Sequence, residues 1–253
     1  GGIKTTLLND NQDNIKETIL SESQGIMLEY AELTNDAELF KTTLDYINKY
    51  MKNDELVSWR VQNNNASRVN AAIDDLRIYG ALKEGFDKFG KNNRELRKYR
   101  KAIYKYNVEE GNLVDSYDFE YNQKAERLTL CYADFEVLKE LSESDRRFKK
   151  VYKNSFDIVK NGYISDEFPL YYSWYNYKTK KYEKDDLNTA EAMVTLLHLA
   201  EKGELKQSTI SWLKNAIKKD GILGKYTVDG NVVNGYEYES TAVYSIVALI
   251  GNE

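Results

Sequence analysis

Apolar residues return every three or four positions along most of this chain, which is the spacing of an amphipathic helix. Ile26, Met27, Tyr30, Ala31 and Leu33 form the first such run, and Thr34-Asn35-Asp36 breaks it. Leu39, Phe40, Leu44, Ile47 and Tyr50 predict a second helix over 36–51, with Asn35 or Asp36 as its cap. So short a turn makes the two an antiparallel hairpin. Val69, Ile73, Leu76, Tyr79, Leu82 and Phe86 predict a long helix over 67–89. Leu96, Tyr99, Ile103 and Tyr106 predict its partner over 94–106, after the break at Asn92-Asn93. A third pair is predicted over 132–141 (Phe135, Leu138, Leu141) and 145–161 (Phe148, Val151, Phe156, Val159), with Ser144 as cap and Gly162 as stop. A fourth runs from Asn188 or Thr189 to Ala200 and from Ser208 to Lys219, and a last helix spans 241–250.

Long connections fall between these pairs. Residues 53–65 form a loop that contains Trp59. In 109–130, Leu113 to Phe119 alternates in polarity and is predicted to pair with Arg127–Leu130 as a short antiparallel ribbon. Residues 163–186 are dense in aromatics, and Asp229-Gly230 marks a tight turn. Helix, short turn, helix, long loop: this rhythm predicts an all-α ring of helix pairs, inner helices alternating with outer ones. The (α/α)6 toroid has that organisation. One domain over 1–253 is expected, with a small β-ribbon in the long loops. About nine helices are predicted against the toroid's twelve, so the ring is expected to be incomplete at its termini. A solenoid would need a repeat of fixed length, and none is visible.

Charge and composition narrow the chemistry. A net charge of −5 and a pI near 5.3 give no basic surface for nucleic acid. Mean hydropathy is −0.67, and no apolar run approaches the ~20 residues of a membrane span. Residues 1–19 read as polar and irregular, without the pattern of a signal peptide. One His and one Cys exclude a histidine-rich metal site, a cysteine zinc site and an internal disulfide. What is plentiful is 41 acidic side chains, 21 Tyr and 3 Trp. Paired acids cleave acetals, and flat rings stack on the C–H face of a pyranose.

One stretch stands out: Ser21-Glu22-Ser23-Gln24-Gly25-Ile26-Met27. Ser21 with Gln24 three residues on has the form of a capping box at the start of the first helix. The same residues resemble the Ser-Glu-Gly-Gln-Gly-Tyr-Gly-Met signature of glycoside hydrolase family 8. Ser23 replaces a glycine, and the Tyr-Gly step is contracted to Ile26. In that family the glutamate is the general acid, and the resemblance gives this role to Glu22.

A second block, Trp59-Arg60 followed by Ala71-Ala72-Ile73-Asp74-Asp75-Leu76, resembles the family's Trp-Arg and Asp-Ala-Asp-Leu segments. The family's first aspartate binds the sugar beside the scissile bond. Here that position is Ile73, so Asp74 or Asp75 takes over, with Asp75 the closer fit to the motif. Trp59 is implied as a stacking platform. Tyr132 and the 163–177 loop, with Tyr171 and Trp174, are implied to face the sugar. The family's base segment, Asp-Ala-x-Arg, is not matched at Asp185-Asp186-Leu187-Asn188-Thr189-Ala190-Glu191. Asp186, Asn188 and Glu191 are each candidates for the base, with Asp186 in front. That departure makes the chain more similar to the related family 126, described as acting on α-1,4-glucans. Glu237 and Glu239, before the last helix, are further cleft candidates.

The resemblance implies a monomeric glycosidase acting on a polysaccharide or oligosaccharide, a glucan or bacterial exopolysaccharide. It implies inversion, no cofactor, no metal, and a place outside the cell or at its surface. Two other readings compete: a non-catalytic carbohydrate-binding protein on a decayed hydrolase scaffold, and a polysaccharide lyase. A lyase would want a Tyr or His base beside Arg or Lys, whereas His198 lies in an apolar helical run and reads as a core residue.

Overall fold

The computed structural model describes residues 2–5, 18–53, 55–90 and 92–253. Most of the polar segment read over 1–19 lies outside the described residues. The chain divides into two compact units. The first comprises Gly1–Glu110 with Val114–Ala125, the second Gly111–Leu113 with Glu126–Glu253. Among the described residues there are nine α-helices, with short strands in the connections.

In the first unit, α1 (Ser21–Leu33) and α2 (Ala37–Tyr46) form the predicted hairpin. Asn35 turns the chain with a left-handed φ of 58°, a conformation asparagine tolerates. The Asp36 carboxylate caps α2 by accepting from Leu39 N at 2.9 Å. The predicted extension to Met51 is a wider π turn, Ile47–Met51. The second pair is α3 (Ala72–Phe89) and α4 (Asn93–Asn107). Helix α3 starts later than the apolar spacing predicts. Residues 67–71 are extended because their backbone groups bond elsewhere: Val69 O accepts from Trp59 N at 3.0 Å, and Asn70 N donates to Tyr117 O at 3.3 Å. The predicted loop over 53–65 is also more ordered than a loop. Arg60–Gln62 pairs with both Thr18–Leu20 and Asn65–Ala66, and Leu56–Val57 pairs with Lys52–Asn53.

Helix α1 packs along α3 as well as on α2. Helix α2 in turn meets α3 over a glycine. Gly85 of α3 lies under the ring of Phe40 on α2, which is itself held against Phe86 (centroids 6.2 Å) and Phe89 (5.4 Å). Any Cβ at position 85 would strike that ring, and the surrounding rings leave it nowhere to swing. Gly85→Val is therefore expected to destabilise the fold by about 1–3 kcal/mol, as overpacking does, read as a lower midpoint in urea unfolding at unchanged slope.

In the second unit, α5 (Phe135–Ser144) and α6 (Phe148–Asn161) make the third pair. Ser144 closes α5 rather than capping α6. The turn is shaped by Asp145, whose carboxylate takes the Arg147 backbone N–H at 3.1 Å and its guanidinium at 2.7 Å. The ribbon pairs differently from the expectation. Tyr117–Asp118 pairs with Gln123–Lys124 in the first unit, whereas Arg127–Thr129 pairs with Trp174–Asn176 in the second. Trp174–Asn176 also pairs with Lys181–Tyr182, so the aromatic loop carries a small sheet. Helix α7 (Thr189–Glu201) starts at Asn188, whose Oδ1 accepts from Ala190 N and Glu191 N. It packs on α5 and on α9 (Thr241–Ile250), and α8 (Gln207–Lys218) lies between them in sequence. Leu130, Leu170, Met193, Leu196 and Ile222 are at the centre of this core. His198 is buried there, its Nδ1 3.1 Å from Glu201 Oε2, as the core reading expects.

Candidate active site

The start of α1 is not capped as its sequence suggests. The residue at the N-cap is Leu20, which has no side-chain acceptor to offer the free N–H groups of the first turn. Ser21, fully buried, turns its hydroxyl away from the helix and donates to Asp74 Oδ2 at 2.5 Å, with Trp59 O 3.2 Å away. Gln24 does not complete a capping box. Its side chain exchanges hydrogen bonds with Ile3 and donates to Leu20 O at 3.2 Å.

The missing cap comes from another helix. Asp74, in the first turn of α3, also accepts a hydrogen bond from the backbone N–H of Glu22. A carboxylate at a helix N-terminus suits the partial positive charge there. The Arg77 guanidinium, 3.3 Å from Asp74 Oδ1, gives further compensation. Burial nonetheless dominates and pushes the Asp74 carboxyl up to about 6, against the pull of Ser21 and Arg77 and with help from the charge of Glu22. Glu22 itself is exposed, so the structure brings together an exposed acid and a buried one at the meeting of two helix N-termini.

Asp75 faces another way. It has no exposed surface and is held by Asn70, Asn107 and Tyr99. Burial again is the leading influence, raising its carboxyl to about 7, opposed by the hydrogen bonds from the two asparagines and the tyrosine. Of the two aspartates, it is Asp74 that stands beside Glu22. Trp59 contributes its carbonyl to Ser21, and its ring is half-buried with the Arg60 guanidinium 4.7 Å from the centroid.

The other predicted residues belong to the second unit. Trp174 is half-buried, donates Nε1–H to Asp185 at 2.8 Å and carries the Arg127 guanidinium 5.0 Å from its ring. Tyr171 is only 4 % exposed and packs edge-on against Tyr163, and burial lifts its phenol to about 12. Tyr132 ends a single 3-10 turn, half-buried. Asp186 is exposed just ahead of the Leu187–Asn188 strand, and Glu191 lies in the first turn of α7. Glu239 is exposed and accepts from the Tyr244 hydroxyl, while Glu237 accepts from Gly235 N at 2.8 Å. Among the described residues, no group of His, Cys, Asp and Glu has the arrangement of a metal site.

No family model matches the chain. A provisionally named lipoprotein of Bacillus subtilis (strain 168), YdaJ, is 29% identical over 240 residues, covering 91% of this chain and 64% of the relative. The chain thus spans just under two thirds of that relative's length. An endo-β-1,4-glucanase of glycoside hydrolase family 8, from an Achatina fulica gut metagenomic library, superposes with a TM-score of 0.77 at 14% identity, covering 96% of this chain and 85% of that one. At that identity the likeness is one of fold. An α-amylase from Clostridium perfringens has a TM-score of 0.90 and 32% identity, covering 99% of this chain and 76% of that one. The chain belongs to the family of that α-amylase, and it shares the fold of family 8 glycoside hydrolases. In the first unit, the exposed Glu22 and its buried neighbour Asp74 are the acids that the fold has brought together.

Four residues around these acids escape a motif reading: Ser21 as a partner of Asp74, and Asn70, Tyr99 and Asn107 around Asp75. Tyr99 left a signal as a member of the inward stripe of α4, and Ser21 left one of another kind, as a cap for its own helix. The asparagines lie at the ends of elements, where asparagine ordinarily reads as a cap or a turn residue.

Proposed function

We propose that this chain hydrolyses a polysaccharide glucan, with Glu22 as the proton donor to the glycosidic oxygen. The observation that carries the reading is the construction at the start of α1: an exposed carboxyl whose backbone is fixed by a buried carboxylate, at the position the family 8 signature gives its acid. Asp74 takes the place of the motif's displaced aspartate and sets the direction in which Glu22 projects. Trp59, Trp174, Tyr132, Tyr171 and Glu239 are the proposed sugar-side residues. The base is proposed to be Asp186, an exposed acid in the region where the family carries its base segment, with Asn188 and Glu191 as the alternatives. With that base the reaction inverts the anomeric centre, which requires a water between two carboxyl groups about 6.5–9.5 Å apart.

The likeness to an α-amylase favours an α-glucan, and that to an endo-β-1,4-glucanase keeps β-glucans as the alternative. We also infer a single catalytic domain of the (α/α)6 class, to which both units belong, acting as a monomer. The name of the Bacillus relative supports action at the cell surface. Among the described residues no helix is long and apolar enough to cross a membrane.

The test is a screen of soluble starch, mixed-linkage β-glucan, carboxymethylcellulose and xylan for released reducing ends, with proton NMR of the first-formed anomer. Release from one glucan with inverted configuration is the expected result. Tight glycan binding with no release from any of them would replace the hydrolase by a carbohydrate-binding protein. Products absorbing in the ultraviolet would indicate a lyase.

A further inference from the structure

We propose that Asp75 is the positioning residue of this site, holding Asp74 and, through it, the first turn of α1. The proposal rests on the reading of Glu22 as proton donor. Both oxygens of the buried Asp75 carboxylate are used. Oδ2 accepts from Asn70 Nδ2 at 2.5 Å and Asn107 Nδ2 at 3.1 Å, and Oδ1 from the Tyr99 hydroxyl at 3.1 Å and Val57 N at 3.4 Å. The partners are themselves tied down. Asn70 Nδ2 also faces Asn107 Oδ1 at 2.6 Å, and Asn70 Oδ1 accepts from Tyr117 N at 2.6 Å. One side chain thus joins the first turn of α3 to the middle and the C-terminal end of α4, to the Leu56–Val57 strand and, through Asn70, to the segment at Tyr117.

Successive residues of a helix point about 100° apart. Asp75 therefore faces α4 while Asp74 faces α1, and the first turn of α3 works as a bracket with two arms. A carboxylate is the right group for the inner arm. Four donors converge on it, and only a group with two accepting oxygens and no N–H can satisfy them all. An amide in its place would turn an N–H₂ toward a donor, and the bracket would rotate to relieve the conflict. Rotation of that turn withdraws Asp74 from Ser21 Oγ and from the Glu22 backbone N–H, leaving the start of α1 without its cap.

The experiment is hydrogen exchange at the Glu22 amide in the full chain, comparing Asp75→Asn and Tyr99→Phe with the parent. Exchange at Glu22 is expected to rise about tenfold in Asp75→Asn and less in Tyr99→Phe, with the amides of α7 unchanged. On soluble starch, kcat is expected to fall by at least about tenfold while KM stays within about twofold, since positioning acts on the reacting geometry. Should Asp75→Asn not fold, Tyr99→Phe carries the test, because it keeps the carboxylate and removes one donor. Unchanged exchange at Glu22 overturns the proposal. So does a rise spread evenly over the helices of the first unit, which would make Asp75 an element of stability only. The exchange result decides the matter even if starch is not a substrate. Full hydrolysis by Glu22→Gln would remove the proton-donor reading and leave the exchange result standing, so the two ideas fail separately.

Discussion

Glu22→Gln is expected to lower turnover of an unactivated glucan by about 10²–10⁴-fold, the usual contribution of a general acid. The substitution is close to isosteric and the side chain is exposed, so the fold has little reason to change. The bond between Asp74 and the backbone at position 22 uses the main-chain N–H, which the variant keeps. Oligosaccharide binding measured by calorimetry should therefore survive. An aryl glycoside whose leaving group needs no proton should still be cleaved at a substantial rate. That pairing of results separates a lost proton from a lost fold. Undiminished hydrolysis of the natural glucan would overturn the assignment of the acid.

The second large effect is on stability against pH. Asp74 is raised to about 6 and Asp75 to about 7, from an ordinary 3.8, chiefly by burial. The folded chain therefore holds protons that the unfolded chain has already released. The stability these two groups contribute is fully present below about pH 4 and is lost as pH rises through 6 and 7. The shifts are worth on the order of 3 kcal/mol at Asp74 and 4 kcal/mol at Asp75 once each group is ionised in both states. Thermal melts of the full chain between pH 4.5 and pH 8 should show this contribution as a falling midpoint on the alkaline side. Asp75→Asn, which has no proton to lose there, should melt at a lower temperature throughout but show a smaller fall over that range. A midpoint that rises steadily to pH 8, with no change of slope in the variant, would show that the two carboxyls do not carry raised values.

Much of the fold was legible because helix periodicity is a local property. The pairs α1–α2 and α3–α4 follow from the spacing of Leu39, Phe40, Leu76, Tyr79 and Tyr99. What the spacing could not place was pairing over distance. Val69 fits a helical stripe, yet its carbonyl is taken by Trp59, and α3 starts at Ala72 instead. Arg127–Thr129 alternates like half of a local ribbon, yet its partner is Trp174–Asn176. The site divides in the same manner. The place of Glu22 at the start of α1 was readable from the apolar run that follows it. The choice between Asp74 and Asp75 was not, because a shift of one residue in a helix redirects a side chain by about 100° and decides which neighbour it meets. Ser21 looked like a cap for its own helix, and only the approach of α3 shows that its hydroxyl serves Asp74.

The borrowed cap of α1 has a consequence for how the site arises as the chain folds. Leu20 cannot mark the start of that helix, so the boundary is written more than fifty residues downstream, at Asp74. A ribosome-bound or proteolysed chain ending before that point could coil residues 21–33, but with a frayed and wandering first turn. The Glu22 side chain would then have no fixed bearing until α3 docks, which couples the geometry at this position to tertiary assembly.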